Sequence, residues 1–195
     1  MPARVSGLRG AGARGGCPPS ILEAAAELMA EIGFGAMSMR QLASRVGMLP
    51  GSLYHHVTGK QDLLLLVLMD VLDRRLAAWR VRRNKRELRT YLEYVLARQC
   101  SHPLEEVLLR HEARHLLDDQ RRWLEQRLER LKAPLLAIIE QGQRSGRFRV
   151  MDRRTAVAGI LAVVNAAADL RSSGLDEASL QAWALRVCLR ILTSP

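Results

Sequence analysis

Two short helical patterns adjoin in residues 39–57, MRQLASRVGMLPGSLYHHV, and neither is long enough to fold alone. Ser38 followed by Gln41 is a capping-box signature, which predicts that the first helix begins directly after Ser38. Gly47 stands where a left-handed residue ends a helix, and Pro50 suits the first position of the next helix. Helices of about two turns are unstable in isolation. Neighbouring elements must therefore hold the pair in place.

The second short helix has two different faces. Leu53 and Val57 lie four residues apart, so both side chains share one face, which we expect to join the core. The opposite stripe carries no acidic residue, and its members are small, hydroxylic or aromatic. Such a stripe suits contacts with base edges and phosphates in a major groove. It comprises Gly51, Tyr54 and His55, with Ser52 and His56 at its flanks.

The remaining sequence predicts more helices and no strand, because 48% of the residues are apolar and the apolar runs are rich in Leu and Ala. A first helix should start at Pro18–Ser20 and end at Gly33. A long fourth helix should run from about Gly59 to Arg80, with a front half buried on all sides. Pro134 should kink or split a later helix. The later helices are predicted at 85–100, 103–117, 119–143, 153–171 and 176–193.

The net charge of +10 and a pI near 10.7 indicate an anionic partner, either nucleic acid or an anionic membrane surface. The three cysteines are scattered, which argues against a disulfide framework or a zinc ribbon and fits a reducing cytoplasm. The longest apolar runs, 63–69 and 156–168, fall short of the roughly 20 residues that span a bilayer. The N-terminus lacks the apolar region of a signal peptide. We therefore expect a cytoplasmic protein with no membrane partner.

Basic residues flank the two short helices. Residues 1–17 are Gly-rich, carry three arginines and should form a flexible basic arm, either a disordered tail or an arm that follows DNA phosphates. Arg40 and Lys60 lie in the first turns of their helices, where a positive charge opposes the helix dipole. A bound phosphate would offset this unfavourable interaction of Arg40 and Lys60 with the helix dipoles. The alternative is that both are solvated charges. Thr58 and Gln61 predict a second capping box.

Residues 33–64, GFGAMSMRQLASRVGMLPGSLYHHVTGKQDLL, resemble the DNA-binding region of the TetR family of bacterial transcriptional regulators. The resemblance rests on the Gly-Phe pair, on RQLASRVGM, on GSLYHHV and on the spacing to Lys60. It implies an all-α homodimer in which each protomer presents a helix-turn-helix to half of a palindromic, double-stranded operator. It also implies a three-helix DNA-binding domain at 18–64, after the arm, and a larger helical effector-binding and dimerisation domain at 65–195.

The same resemblance assigns DNA contacts by position. Arg40 would contact a base or phosphate, His56 and Lys60 would hold phosphates, and Met39 would lie near the DNA backbone. The full set is Met39, Arg40, Pro50, Gly51, Ser52, Tyr54, His55, His56 and Lys60. Family members usually carry polar or basic residues at three positions where this chain has Leu49, Pro50 and Gly59. These departures leave the recognition helix without a formal charge.

A rival motif, HEARH at residues 111–115, matches the HExxH signature of zinc proteases. On a helix, both histidines would share one face, Glu112 would act as general base, and Glu125 or Glu129 could supply a third ligand. The motif lies in an Arg-rich amphipathic stretch, and no recognised third-ligand motif follows it. We therefore expect no metal, no cofactor and no catalytic residue. The histidines then belong to an exposed face or to the polar lining of an effector pocket.

The resemblance further implies an effector cavity enclosed by helices four to seven, with effector binding moving helix four and so changing the separation of the recognition helices. The lining residues predicted from type and position are Met69, Leu72, Trp79, Leu108, His111, Leu116 and Trp123. Residues 142–149, GQRSGRFR, resemble the turn before the dimer helices of regulators that sense fatty-acyl or other hydrophobic molecules.

The last two helices are apolar over wide faces, which suits either a four-helix bundle with a partner protomer or the core of a single chain. The resemblance favours the dimer. The predicted interface residues are Ile160, Val164, Ala168, Leu180, Trp183, Val187 and Ile191.

Together these features predict a ligand-responsive DNA-binding regulator, a repressor released from its operator by a small hydrophobic effector of unknown identity. The alternatives are a HExxH zinc metalloenzyme and a basic helical adaptor without specific DNA binding. Binding to one promoter at physiological salt would separate the regulator from the adaptor, because non-specific affinity falls steeply with salt.

Overall fold

A computed structural model describes residues 17–171 and 174–193, and all regular structure in these ranges is helical. The all-α prediction is therefore confirmed, whereas residues 1–16 of the predicted basic arm lie outside the described residues. A π-helical turn (Leu108–Glu112) and a 3₁₀ turn (Ala113–His115) separate the sixth and seventh α-helices. The α-helices are α1 (Pro19–Ala36), α2 (Met39–Arg45), α3 (Pro50–Leu53), α4 (Lys60–Arg80), α5 (Leu88–Ser101), α6 (Pro103–Val107), α7 (Asp118–Arg144), α8 (Arg153–Arg171) and α9 (Glu177–Thr193).

The chain forms two compact units. The first contains the described residues up to Val71 together with Val107–Leu124, and the second contains Leu72–Glu106 and the described residues from Glu125 onward. Residues 107–124 thus return to the N-terminal helices. The predicted domain boundary, between residues 64 and 65, assigns residues 107–124 to the second domain. No local sequence pattern indicates that they pack with the N-terminal helices.

In the first unit, α1 begins with a proline in its first turn, and the backbone breaks where the sequence predicts. Gly33 has φ 80° and ψ 151°, so the helical conformation is interrupted before a further short turn reaches Ala36. A φ of this sign favours glycine because a side chain would be strained there. The front half of α4 is largely buried as expected, with only Leu66 and Met69 of residues 63–69 half-buried.

The predicted continuous helix over 103–117 is wrong. After α6 the backbone widens into the π-helical turn and then tightens into the 3₁₀ turn. Because a π-turn holds more residues than an α-turn, it changes the direction in which the following side chains point. Glu112 is consequently turned inward and is only 6% exposed, and its Oε2 accepts a hydrogen bond from the Phe34 N–H at 3.1 Å.

In the second unit, α7 continues through Pro134 without splitting. Proline removes one backbone donor, but Leu135, Ile138 and Ile139, which follow Pro134 in α7, are buried in the unit's core and anchor this part of the helix. The predicted split is therefore not found. The core of this unit also takes side chains from α5, α8 and α9.

The turn that follows α7 closes tightly over Gly142. Its carbonyl accepts hydrogen bonds from the N–H groups of Arg147 at 2.9 Å and Phe148 at 3.1 Å. A Cβ atom added to Gly142 would lie 1.9 Å from Cδ2 of the Phe148 ring, so only glycine fits beneath that ring.

None of the described helices combines the length and the apolar character that a bilayer crossing requires. Among the described residues, Cys17, Cys100 and Cys188 are all free thiols. Burial raises the pKa of Cys17 to about 11 and that of Cys188 to about 12, so both remain thiols at neutral pH.

Candidate DNA-binding surface and effector cavity

Helix α2 is fixed at its start by the predicted capping box. The Ser38 Oγ accepts a hydrogen bond from the Gln41 N–H at 3.2 Å, and the Gln41 Oε1 accepts one from the Ser38 N–H at 2.8 Å. Leu42 and Ala43 point inward and are fully buried. Arg40 lies on the outward face and is exposed. The capping box thus sets the register that leaves Arg40 available to a ligand.

The turn between α2 and α3 also has the predicted geometry. Gly47 has φ 67°, which favours glycine, and the Met48 N–H donates to the Ala43 carbonyl at 2.8 Å. Pro50 opens α3. Leu49 has no side-chain capping bond and is 76% exposed, so the departure from a polar cap leaves an apolar side chain at the surface.

Helix α3 is shorter than the predicted two turns, ending at Leu53, with turn structure over residues 54–56. The two predicted faces are nonetheless confirmed. Leu53 and Val57 are buried, and Tyr54 is 52% exposed. Gly51 and His55 are exposed. Pro50 is exposed as well, while Ser52 and His56 are half-buried.

Met39 does not belong to this surface. It is only 8% exposed because, as the first residue of α2, it packs inward against the core. The Met39 side chain is therefore not available to DNA in this structure, and the position of the residue near the DNA backbone remains a prediction. The local pattern places Met39 at a helix start, but only packing decides that its side chain points inward.

Lys60 opens α4 and is already engaged within the first unit. Its Nζ donates a hydrogen bond to the Gly35 carbonyl at 3.0 Å and lies 4.4 Å from the centre of the Phe34 ring. The predicted capping box between Thr58 and Gln61 is wrong. Gln61 is the second residue of α4, and its Oε1 is buried without a hydrogen-bond partner among the described residues.

The surface around α2 and α3 carries no acidic side chain of its own. Between Glu31 and Asp62 the sequence contains only basic charges. Glu31 pairs with Arg45 at 2.6 Å, and this hydrogen bond from Arg45 lowers the pKa of the Glu31 carboxyl. Arg40 forms no ion pair with a carboxylate of the described residues, so it is the charged group best placed to meet a phosphate.

The HExxH residues serve the fold of the first unit. Besides the bond from Glu112 to the Phe34 N–H, the His115 ring packs against the Phe34 ring with centroids 5.3 Å apart. His111 is exposed, and the histidines do not share a regular α-helical face because the π and 3₁₀ turns intervene. In the part of the chain that the structure describes, no three His, Cys, Asp or Glu side chains group closely enough to hold a metal ion.

The second unit contains a cavity of about 120 Å³. Its aromatic wall is built by Trp79 of α4 with Tyr91 and Tyr94 of α5, whose ring centroids lie 5.5 Å and 5.4 Å from that of Trp79. Leu131, Pro134, Leu161 and Val164 add apolar surface from α7 and α8. The polar lining residues are Arg75, Arg98, Gln99, Glu106 and Asn165.

Burial sets the state of both tyrosines. It raises the pKa of Tyr91 and of Tyr94 above the ordinary value, so both phenols are neutral at physiological pH. The Tyr94 hydroxyl donates a hydrogen bond to the Arg75 carbonyl at 2.5 Å. The cavity wall therefore combines aromatic faces with neutral hydroxyl groups.

Of the predicted lining residues, only Trp79 lines this cavity. Leu72, Leu108 and Leu116 are buried core residues, and Met69 is half-buried. His111 and Trp123 are exposed, so neither has the position predicted for it. The residues that sequence reasoning missed come mainly from α5, where Tyr91, Tyr94, Val95 and Arg98 recur at helical spacing. That periodicity could have identified them.

The predicted dimer residues lie on α8 and α9, where a single protomer already buries them wholly or in part. Ile160, Val164 and Leu180 are buried in a single chain. Trp183, Val187 and Ile191 are half-buried and pack against the same core, and Ala168 is half-buried. The packing of α8 on α9 covers part of these side chains, and their place in a dimer interface remains a prediction. The exposed faces of the two helices carry Ala158, Ala162, Ala182, Arg186 and Leu189.

Both parts of the chain match known proteins. Residues 21–67 match the model of bacterial regulatory proteins of the tetR family, and residues 83–174 match that of the tetracyclin repressor-like C-terminal domain. The chain is 30% identical over 135 residues to the HTH-type transcriptional repressor KstR2 of Mycobacterium tuberculosis, covering 66% of this chain and 68% of that protein.

Two further known proteins are similar to this chain, one in sequence and one in fold. KstR2 of Rhodococcus jostii is 29% identical over 136 residues, and the match spans 66% of each protein. The crystal structure of the transcriptional regulator FadR from Bacillus subtilis in complex with stearoyl-CoA has a TM-score of 0.71 at 18% identity, covering 90% of this chain and 97% of that chain. The likeness to FadR concerns the fold alone.

Proposed function

The chain belongs to the TetR family of DNA-binding bacterial regulatory proteins, and from this premise we propose that it is a repressor which a small, hydrophobic effector releases from a palindromic operator. Regulators of this family bind DNA and small molecules and are dimers. The observation that carries the proposal is the exposed, acid-free stripe of α3 on a capped α2. The relatives named KstR2 from Rhodococcus jostii and Mycobacterium tuberculosis, which each match 66% of the chain, are named as transcriptional repressors.

Base and phosphate contacts are proposed for different parts of the stripe. Tyr54 and His55 are exposed in the turn directly after α3 and would reach base edges, while Arg40 at the start of α2 would contact a base or phosphate. The exposed Pro50 and Gly51 allow the backbone to approach the DNA closely. Ser52 and His56 would contact the DNA from the flanks of the stripe.

Lys60 has a second proposed role. Its ammonium group could leave the Gly35 carbonyl for a phosphate, which is a stronger acceptor because it is charged. In the absence of DNA, Lys60 would then keep the backbone at Phe34 and Gly35 ordered. On DNA, it would add one phosphate contact to those made from α2 and α3.

A second copy of the chain is proposed to dock on the exposed faces of α8 and α9. Ala158 and Ala162 on α8 are small enough for close approach of another helix, and Leu189 on α9 adds an apolar contact. A two-fold dimer requires two half-sites about one helical turn apart, roughly 34–36 Å. The proposed operator is therefore a palindrome.

The second-unit cavity is the proposed effector site. Helix α4 carries Lys60 at its first residue and Trp79 near its last, so one helix contributes to both functions. An effector that prefers one position of α4 would shift the affinity for DNA by its difference in affinity for the two states. We propose that the chain acts in the cytoplasm as a DNA-binding regulator and not as an enzyme.

The test is selection from a randomised DNA pool at about 150 mM salt, where non-specific binding is weak. The wild type should enrich one palindrome, and Tyr54→Ala should lose the enrichment. Met151→Ala is the matched control, since Met151 is 98% exposed and lies outside the proposed surfaces. Failure of the wild type to enrich a palindrome, or enrichment of the same palindrome by Tyr54→Ala, would contradict the proposed recognition surface.

A further inference from the structure

The charged groups beside the second-unit cavity are already paired with each other. Arg75 donates to Glu105 at 3.0 Å and to Glu106 at 2.6 Å, and Arg98 donates to Glu105 at 3.0 Å and 2.6 Å. All four side chains are less than one-fifth exposed. Two positive and two negative charges therefore balance. A charged ligand would have to displace a partner or remain unpaired in a poorly solvated place, and both are unfavourable.

Gln99 is a polar residue of this lining whose side-chain oxygen has no hydrogen-bond donor among the described residues. It is 8% exposed, and its Oε1 is buried without a hydrogen-bond partner among the described residues. A buried acceptor left unpaired destabilises the fold, whereas pairing it recovers that free energy. The terminal torsion of glutamine is broad, so rotation of the amide can present either its oxygen or its NH₂ group to the cavity.

The rest of the lining is suited to an aromatic or alicyclic body. Trp79 meets Tyr91 edge-on at 76°, and Leu161 and Val164 contribute aliphatic surface from α8. Aromatic walls of this kind favour flat, apolar ligands through ring contacts in addition to area burial. The cavity of about 120 Å³ is roughly ten times the space that one water needs.

We propose that this cavity binds an uncharged, ring-containing small molecule whose single hydroxyl or carbonyl group pairs with the Gln99 amide. This inference rests on the proposed function, because it names the chemical class of the effector. The cavity is expected to prefer neutral ligands over carboxylates and other anions. Arg75 and Arg98 do not attract such anions, since Glu105 and Glu106 already neutralise them.

The test uses three probes that share one ring system: 2-naphthol, 2-naphthoate and naphthalene. Binding to the full chain is measured by calorimetry at neutral pH, with ligand-induced shifts of the unfolding temperature as a second readout. Wild type should bind 2-naphthol most tightly. Gln99→Leu should weaken 2-naphthol binding roughly fivefold, to the level of naphthalene, because one neutral hydrogen bond is lost.

Gln126→Leu is the matched control, since Gln126 is exposed on α7 and does not line the cavity. It should bind 2-naphthol as the wild type does. Gln99→Leu without ligand should unfold at or above the wild-type temperature, because an unpaired buried acceptor is removed. A lower unfolding temperature would mean that Gln99 stabilises the fold and would overturn its assignment to the ligand.

Three binding results would also overturn the inference. These are tighter binding of 2-naphthoate than of 2-naphthol, equal binding of 2-naphthol to wild type and Gln99→Leu, and no binding of any probe. Operator selection, measured independently, distinguishes these failures from failure of the proposed function. A chain that enriches a palindrome but binds no probe remains a DNA-binding regulator, with an effector of another class.

Discussion

Replacement of Glu105 by glutamine tests the ion-pair network that lines the second-unit cavity. The Glu105 carboxylate is 5% exposed and accepts three hydrogen bonds, one from Arg75 Nε and two from Arg98. Glutamine keeps the shape but has one acceptor oxygen, and its NH₂ group would oppose a guanidinium. At least one arginine donor therefore loses its acceptor, and the network gains an uncompensated positive charge.

The expected loss follows from the burial of the network. Breaking a buried ion pair by removing one partner costs about 3–5 kcal/mol. We expect the lower end, about 3 kcal/mol, because Glu106 still pairs with Arg75 at 2.6 Å. For a chain of 195 residues, each kcal/mol corresponds to roughly 2–4 °C in the unfolding temperature. Glu105→Gln should therefore unfold about 6–12 °C below the wild type.

Thermal unfolding of the full chain, followed by circular dichroism, measures this difference. Glu129→Gln is the matched control, because Glu129 pairs with Lys132 at the surface with 65% of its side chain exposed. Exposed pairs contribute little, so this variant should unfold with the wild type. A shift of Glu105→Gln no larger than that of Glu129→Gln would refute the reasoning, since it would show that the buried network does not stabilise the unit.

Three further predictions concern other contacts. Gly142→Ala should destabilise the chain by about 1–3 kcal/mol in denaturant unfolding, because its Cβ would overlap the Phe148 ring. The loss should largely disappear when Gly142→Ala is made in a Phe148→Ala background, and an additive loss would count against the overlap. Glu112→Leu should lower the free energy of unfolding by about 1–3 kcal/mol, because the Phe34 N–H loses its acceptor. Glu112→Gln should lower it less, because the amide oxygen can still accept that hydrogen bond. Equal stability of the two variants would disprove this role of Glu112. Asp152 accepts two hydrogen bonds at the start of α8, and the side-chain bond lowers the pKa of its carboxyl. A lowered carboxyl pKa stabilises the fold at pH values above the ordinary pKa of 3.8, and this stabilisation is lost as the pH falls. Asp152→Ala should therefore have a lower unfolding temperature than the wild type at pH 7, and the two unfolding temperatures should converge in acid. A difference in unfolding temperature that does not depend on pH would contradict this prediction.

The sequence by itself determined the features that depend on neighbours a few residues apart. The capping box of Ser38 and Gln41, the left-handed Gly47 and the inward face of Leu53 all follow from spacings of three or four residues. Such spacings are geometric properties of a helix and need no knowledge of the rest of the fold. The helical class and most helix positions follow for the same reason.

Local sequence patterns do not predict a capping box correctly when the helix begins one residue away from the expected position. The sequence offers Thr58 and Gln61 as a capping box, but α4 begins at Lys60, so Gln61 lies one position too early. The π-helical turn is a similar case. Its extra residue per turn directs Glu112 toward Phe34, a partner 78 residues away that no local pattern reveals.

Tertiary structure alone decided which apolar face meets which partner. Helices α8 and α9 are apolar over wide faces, so hydrophobic pattern could not tell Ile160, which is fully buried in its own chain, from the exposed Ala162. The cavity is a second example, because packing brings Trp79 of α4 against the α5 residues Tyr91 and Tyr94. Burial is a property of the assembled unit: a side chain is removed from water by whatever packs against it, and sequence periodicity specifies the face but not the neighbour.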